Sequence, residues 1–429
     1  MSGLRNAVEL TVRRLGHTVL SPETALPIIL IGALAARLIW LDRPAGALIF
    51  DEAYYVNASR VILGLPVEAG APYATAPVGL DPNIEHPPLG KLLIAGSMRL
   101  LGDNALGWRL PSVIAGMIVL FALYMVVRQA GETARFATLA MGLLAFDNLT
   151  VVHSRIATLD VLSLAPILVA TWFALRDRWL LAGILVAVGF LIKITALYGL
   201  VPLVAMVGMK VWARWRAERT WDRNAIRQGA LLAAVFAIVG LVGLWLLDLR
   251  LTTFASPIDH VRHMLQYGAS LTEPGDRSGI CVGATSAPWQ WPFNECQINY
   301  LRVDRTVTEG DTIIGRIATI DFRGALNPLL ASGSLIATLF VTWYARQRPS
   351  RTARWAIVWI AANFLPLVLL SLVGNRVTYI YYMLPVVPGL AVAITALLLR
   401  SGLPLFVTVA FLAAYLLGFA AYFPFRQLP

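Results

Sequence analysis

Charge is scarce in this chain. Asp, Glu, Lys and Arg make up only 14% of its 429 residues, while 58% are hydrophobic; a soluble domain carries about 25% charged residues. So little charge excludes an ordinary soluble surface, and the lack of long polar tracts excludes a disordered chain. What remains is a polytopic membrane protein. Cysteine is nearly absent too. Cys281 and Cys296 are the whole supply and no C-x-x-C occurs, which excludes a multi-cysteine zinc framework. Lysine is confined to Lys91, Lys193 and Lys210, although Lys and Arg together number 35 against 24 Asp and Glu, a net charge of +11. In a soluble protein that balance would suggest nucleic acid. In a membrane protein it reads as basic cytoplasmic loops, and no nucleic-acid partner is expected.

A spanning helix needs about 20 mostly apolar residues. Such stretches fall at 25–42, 109–127, 135–152, 158–175, 179–194, 195–212, 229–247, 327–345, 355–373, 378–399 and 402–422, which predicts eleven spans. The break inside 179–212 rests on Lys193 and Thr195 alone. Residues 1–24 carry Arg5, Arg13 and Arg14 but no apolar run before the first span, so a cytoplasmic segment without a cleavable leader is expected there. Alternate loops are densely basic, among them 128–135, 210–227 and 346–354. The positive-inside rule then puts the N-terminus in the cytoplasm and two long loops, 43–108 and 248–326, outside the cell membrane. Residues 25–429 read as one transmembrane domain. No inverted repeat is visible, and the notable charges gather beside the two long loops rather than at mid-membrane, so an enzyme fits better than a secondary transporter.

The first long loop opens with Phe50-Asp51-Glu52-Ala53-Tyr54-Tyr55. Adjacent carboxylates at the membrane edge are costly to desolvate. Either they are solvated, or one has a raised pKa and serves as a base. Further on, Glu85-His86-Pro87-Pro88-Leu89-Gly90-Lys91 makes a rigid turn. The next stretch sets Leu92, Leu93, Ala95, Met98 and Leu101 on one side of a predicted interfacial helix, and 54–65 reads similarly. Cys281 and Cys296 both fall in the second long loop, where an oxidising compartment would pair them. His260 and His263 stand one helical turn apart, which reads as a solvated face or, less simply, two metal ligands; no metal is expected.

DEAYYVNASRVILG followed by EHPPLGKLLIAG resembles the first external loop of the protein O-mannosyltransferases, a family of GT-C membrane glycosyltransferases. Phe146-Asp147-Asn148 with Ser154-Arg155 through Asp160, Gly189 through Thr195, Ser286-Ala287-Pro288-Trp289-Gln290-Trp291-Pro292, Ala325-Leu326-Asn327-Pro328, and Arg376 through Pro385 resemble further family segments in the same order. The likeness runs from about residue 33 to 395. Two positions depart from the family pattern: Gly268 stands where a His is usual, and Pro292 is followed by Phe293-Asn294 rather than Arg-Pro.

The resemblance implies an all-α GT-C fold and an inverting transfer of mannose from a polyprenyl-phosphate-mannose lipid to Ser or Thr of a secreted or translocating protein. No cofactor is implied. Such a displacement needs a base for the hydroxyl and positive charge for the departing phosphate. Asp51 is the expected base and Glu52 its supporting carboxylate. Lys193, Arg155 and Arg376 are the expected phosphate cations; Arg37 and Arg109 are weaker candidates that could equally snorkel to lipid headgroups. His86, Lys91, Tyr55, Trp289 and Trp291 are expected to bind sugar or acceptor, or to order the loops. The related aminoarabinose transferases, which act on lipid, are the alternative reading.

Overall fold

A computed structural model describes residues 21–272, 281, 284–309 and 312–426. The expected segment 1–24 therefore lies almost wholly outside the described residues. Helix α1 (Pro22–Leu38) starts with Pro in its first turn, where the missing N–H costs nothing. The first long loop then folds into α2 (Glu52–Leu63), stopped by Gly64 in the left-handed conformation, and α3 (Leu89–Leu101). Next come α4 (Ala105–Gln129), α5 (Ala134–Ala145), α6 (Asn148–His153), α7 (Leu159–Leu175), α8 (Trp179–Ile192), α9 (Leu197–Glu218) and α10 (Arg223–Leu251). Side chains of Asn104, Thr133, Asp147 and Asp222 cap the starts of α4, α5, α6 and α10 by accepting backbone N–H bonds. The second long loop carries α11 (Pro257–Ser270), β1 (Ile298–Glu309) and β2 (Thr312–Gly324). Helices α12 (Pro328–Gln347), α13 (Arg351–Val373), α14 (Val387–Arg400) and α15 (Leu405–Ala421) complete the bundle.

Each expected span overlaps helix over part of its length. Five of these helices are long and apolar enough to cross a membrane by length and composition: α4, α9 with its preceding turn, α10, α12 and α13. The others are shorter. The stretch 135–152 is split, because Asp147 turns the chain and caps α6 with its own side chain. The break at Lys193 is present: the residue is extended (φ −149°, ψ 131°), and a 3-10 turn over Ile194–Ala196 leads into α9.

The second long loop adds an antiparallel hairpin of β1 and β2, with bulges, to the helices. One expectation is corrected. In α3 the buried face is Lys91, Ile94, Ala95 and Met98, while Leu93 and Leu101 are exposed. The reason is Lys91. Its ammonium turns inward to Asp81 (2.7 Å) and to the carbonyls of Asn83 and His86, and the helix rotates to follow it.

Candidate active site

The two adjacent carboxylates part company in the structure. Glu52 is fully buried and all its bonding capacity is used. It accepts from the Ile49 and Ala157 amides (2.8 Å each) and pairs bidentately with Arg109, Nε at 2.8 Å and Nη2 at 2.9 Å. Arg109 also grips the carbonyls of Leu41, Arg43 and Ala47. Neither group is free to do chemistry: Glu52 is a strut that fixes the loop, and Arg109 does not snorkel. Their clamp holds Phe50 at a φ of 55°, a strained value for an aromatic residue. The Phe50 ring stacks on Tyr300 (centroids 4.1 Å) and meets Tyr381 edge-on at 5.5 Å.

Asp51 is the carboxylate left uncommitted. Burial pushes its pKa up to about 6; the Lys193 ammonium pulls it down, Asp160 pushes it up, and the Tyr55 hydroxyl bonds the charged form. Tyr55, itself buried one turn along α2, thereby orients Asp51. His86 lies 6.1 Å from the Tyr55 ring. Burial first, then the charges of Lys193, Lys91 and Arg376, hold its pKa well below the usual histidine range. It is therefore neutral at pH 7, and its Nδ1 has no partner among the described residues.

Lys193 does not face the site as a free cation. Its Nζ donates to Asp160 Oδ1 at 2.7 Å and lies 5.8 Å over the Tyr381 ring. From Asp160 a polar chain runs on. His153 Nδ1 is 4.0 Å from Asp160 Oδ2 and 3.2 Å from Thr158 Oγ1, and its Nε2 is 2.9 Å from the Tyr300 hydroxyl. A narrow cleft with a cavity of about 60 Å³ opens beside this chain, between α7, α9 and α13. Its depth is apolar, with Leu164, Ile167, Leu367 and Leu370; its polar end carries Asp160, Tyr382 and Arg376. Among the described residues no carboxylate pairs with Arg376, so it is the cation in the cleft wall with charge to spare.

The other expected site residues lie elsewhere. Arg155 is buried under the end of α1, bonded to the carbonyls of Ala36, Ile39 and Trp40 and covered by Phe423 and Phe425. It pairs with neither Asp147 nor Asp160, and it is a helix-end anchor rather than a phosphate ligand. Arg37 is also fully buried, on the carbonyls of Ala33 and Ala145. Lys91 orders the first long loop. Trp291 is core, its indole N–H donating to Ser286 Oγ at 2.8 Å, whereas Trp289 is exposed. His260 is not a solvated or metal-binding residue. It is buried between Asp248 (2.8 Å) and the Ile84 carbonyl (3.0 Å), joining the two long loops. Cys281 and Cys296 form a disulfide.

Asp160, His153 and Tyr382 emerge as site residues only in three dimensions. The sequence reading gives Asp160 only a place in a matched segment, and nothing in it marks His153. The available signal was a carboxylate on an otherwise apolar span next to a histidine seven residues earlier, both costly within a membrane unless used.

Residues 85–245 match the family model described as dolichyl-phosphate-mannose-protein mannosyltransferase. A polyprenol-phosphate-mannose–protein mannosyltransferase of Mycolicibacterium smegmatis is 36% identical over 137 residues, 31% of this chain and 25% of the relative. An undecaprenyl phosphate-alpha-4-amino-4-deoxy-L-arabinose arabinosyl transferase of Pseudomonas aeruginosa is 29% identical over 204 residues, 45% of this chain and 36% of the relative. The alignments thus span only a quarter to about a third of the relatives' length. In three dimensions the Saccharomyces cerevisiae protein O-mannosyltransferase Pmt1-Pmt2 complex, bound to the sugar donor, superposes with a TM-score of 0.69 over 94% of this chain and 90% of that one, at 11% identity. The fold is that of the yeast Pmt1-Pmt2 structure, and residues 85–245 are similar to the dolichyl-phosphate-mannose-protein mannosyltransferase family.

Proposed function

We propose that this protein is an inverting, polyprenyl-phosphate-mannose-dependent protein O-mannosyltransferase working at the outer face of the cell membrane, with its N-terminus in the cytoplasm. The observation that carries the reading is an uncommitted carboxylate, Asp51, beside the polar end of a cleft whose depth is apolar. The head end of the polyprenyl lipid enters between the helices at the cleft. The donor phosphate meets Arg376, with Lys193 behind it, and the mannose lies toward Asp51. Asp51 takes the proton from a Ser or Thr hydroxyl, and that oxygen attacks the anomeric carbon from the face opposite the phosphate. The bond from carbon to phosphate oxygen breaks, and the polyprenyl phosphate departs with the electron pair, its charge met by Arg376. A pKa near 6 suits this role: the carboxylate is ionised at pH 7 yet more basic than an exposed aspartate.

The stretch shared with the aminoarabinose transferase supports a second reading, in which the acceptor is a lipid and the sugar differs. Incubating membranes that contain the protein with radiolabelled polyprenyl-phosphate-mannose separates them. Label entering protein and released by base-catalysed β-elimination supports O-mannosylation. Label in the lipid fraction, or none from this donor while an aminoarabinose donor is used, overturns it.

A further inference from the structure

Arg376 owes its direction to a glycine. It leaves α13 on a short segment pinned on both sides by the second long loop: Thr272 bridges to Arg376, the Val377 amide donates to the Leu271 carbonyl, and Ser286 and Thr378 exchange bonds through the Ser286 amide (2.9 Å) and the Thr378 hydroxyl (2.6 Å). The guanidinium then donates through Nη1 to the carbonyl of Gly268, near the end of α11. A Cβ at 268 would stand 2.9 Å from that same Nη1, closer than carbon and nitrogen pack, and 3.8 Å from Cζ and Nη2. Helical backbone does not demand glycine here, since the residue has no positive φ. A glycine inside a helix costs stability relative to alanine. What its missing side chain provides is the space in which the arginine lies.

We infer that Gly268 is a positioning residue for Arg376: its bare Cα and its carbonyl hold the guanidinium at the polar end of the cleft, in line for a lipid phosphate. The inference rests on the proposed role of Arg376. The atom displaced by a side chain at 268 is the far end of a flexible arginine, so substitution moves the guanidinium without disturbing the packing of α11. The second long loop thus sets the reach of a cation that belongs to the segment after α13.

The test uses the purified full chain in nanodiscs, with undecaprenyl phosphate as the probe. Arg376→Ala should weaken its Kd roughly 10-fold or more, the scale of one charge-assisted hydrogen bond. Gly268→Ala should weaken it roughly 3- to 10-fold, and Gly268→Leu further, with apparent Tm not lowered in either. In an Arg376→Ala background, Gly268→Ala should change Kd by less than about twofold, because the residues act through one contact. Arg376→Lys, whose single ammonium does not lie against position 268, should also make Gly268→Ala silent. If Gly268→Ala leaves Kd unaltered in the parent, or costs the same with and without Arg376, the positioning role is overturned while the phosphate role stands. If Arg376→Ala itself leaves Kd unaltered, both fall. Should Gly268→Leu fail to fold, the alanine variant alone decides.

Discussion

Asp51 and Glu52 look alike in the sequence, and one hydrogen-bond tally separates them. Glu52 is spent on Arg109 and two amides, whereas Asp51 has only the Tyr55 hydroxyl bonded to it and lies outside that clamp. Asp51→Asn should therefore lower turnover about 100-fold or more, the range for removing a general base, with donor binding kept. The parent kcat/KM should rise with pH through about 6, as the carboxylate loses its proton, and this limb should be absent from the residual activity of the variant. Near-parental turnover in purified Asp51→Asn would remove it from the mechanism. The neighbours give a test of opposite signs. Asp160 raises the Asp51 pKa, so Asp160→Asn should move the acid limb to lower pH. Lys193 lowers it, so Lys193→Ala should move the limb to higher pH. Shifts of the same sign would show that the limb belongs to another group. The DE and HPPLGK motifs drew attention to Asp51 in the sequence, and its role there is the proposal. The fates of Glu52, Arg155 and Lys193 were not legible, because a burial partner far along the chain leaves no local mark.

At the level of elements, the helix positions were readable and their rotation was not. Long apolar runs placed each span, and the extended Lys193 broke α8 from α9 where the pattern put it. The α3 stripe misled because five apolar residues on one side counted for less than one lysine with a buried acid to reach. That lysine leads to a stability prediction. Asp81 and Lys91 are both fully buried at their side chains. Removing one partner of a buried pair strands the other, at a cost of about 3–5 kcal/mol. Lys91→Met should lower the apparent Tm by several degrees in detergent. Lys91→Met with Asp81→Leu should recover part of the loss, since two apolar groups leave no stranded charge. If the double variant is no more stable than the single, the pair is not what the loop depends on. The hairpin of β1 and β2 escaped notice because its alternating residues sit between stronger helical signals.

For the molecule as a whole, composition excluded almost every alternative before any motif was read, and the order of matched segments carried the rest. The meeting of the two long loops could not be read. It depends on His260 reaching Ile84 and Tyr300 reaching Phe50, contacts between residues far apart in the chain. On the proposed reading the departing monophosphate is met by protein cations. Transfer should then persist in excess EDTA; its abolition, with recovery on adding Mg²⁺, Mn²⁺ or Zn²⁺, would call for a metal and return His86 to the chemistry.

On the proposed reading, the cleft between α7, α9 and α13 decides how the enzyme experiences its substrate. A polyprenyl lipid reaching it through a gap between helices never leaves the bilayer, so the quantity that governs saturation is a surface density. Volume concentration drops out. Diluting the vesicles tenfold at a fixed lipid composition leaves occupancy of the cleft unchanged, while diluting the donor with inert lipid empties it. Rates compared between preparations have meaning only per mole fraction of donor, and a cell could throttle transfer by partitioning one scarce lipid among competing enzymes in the same plane.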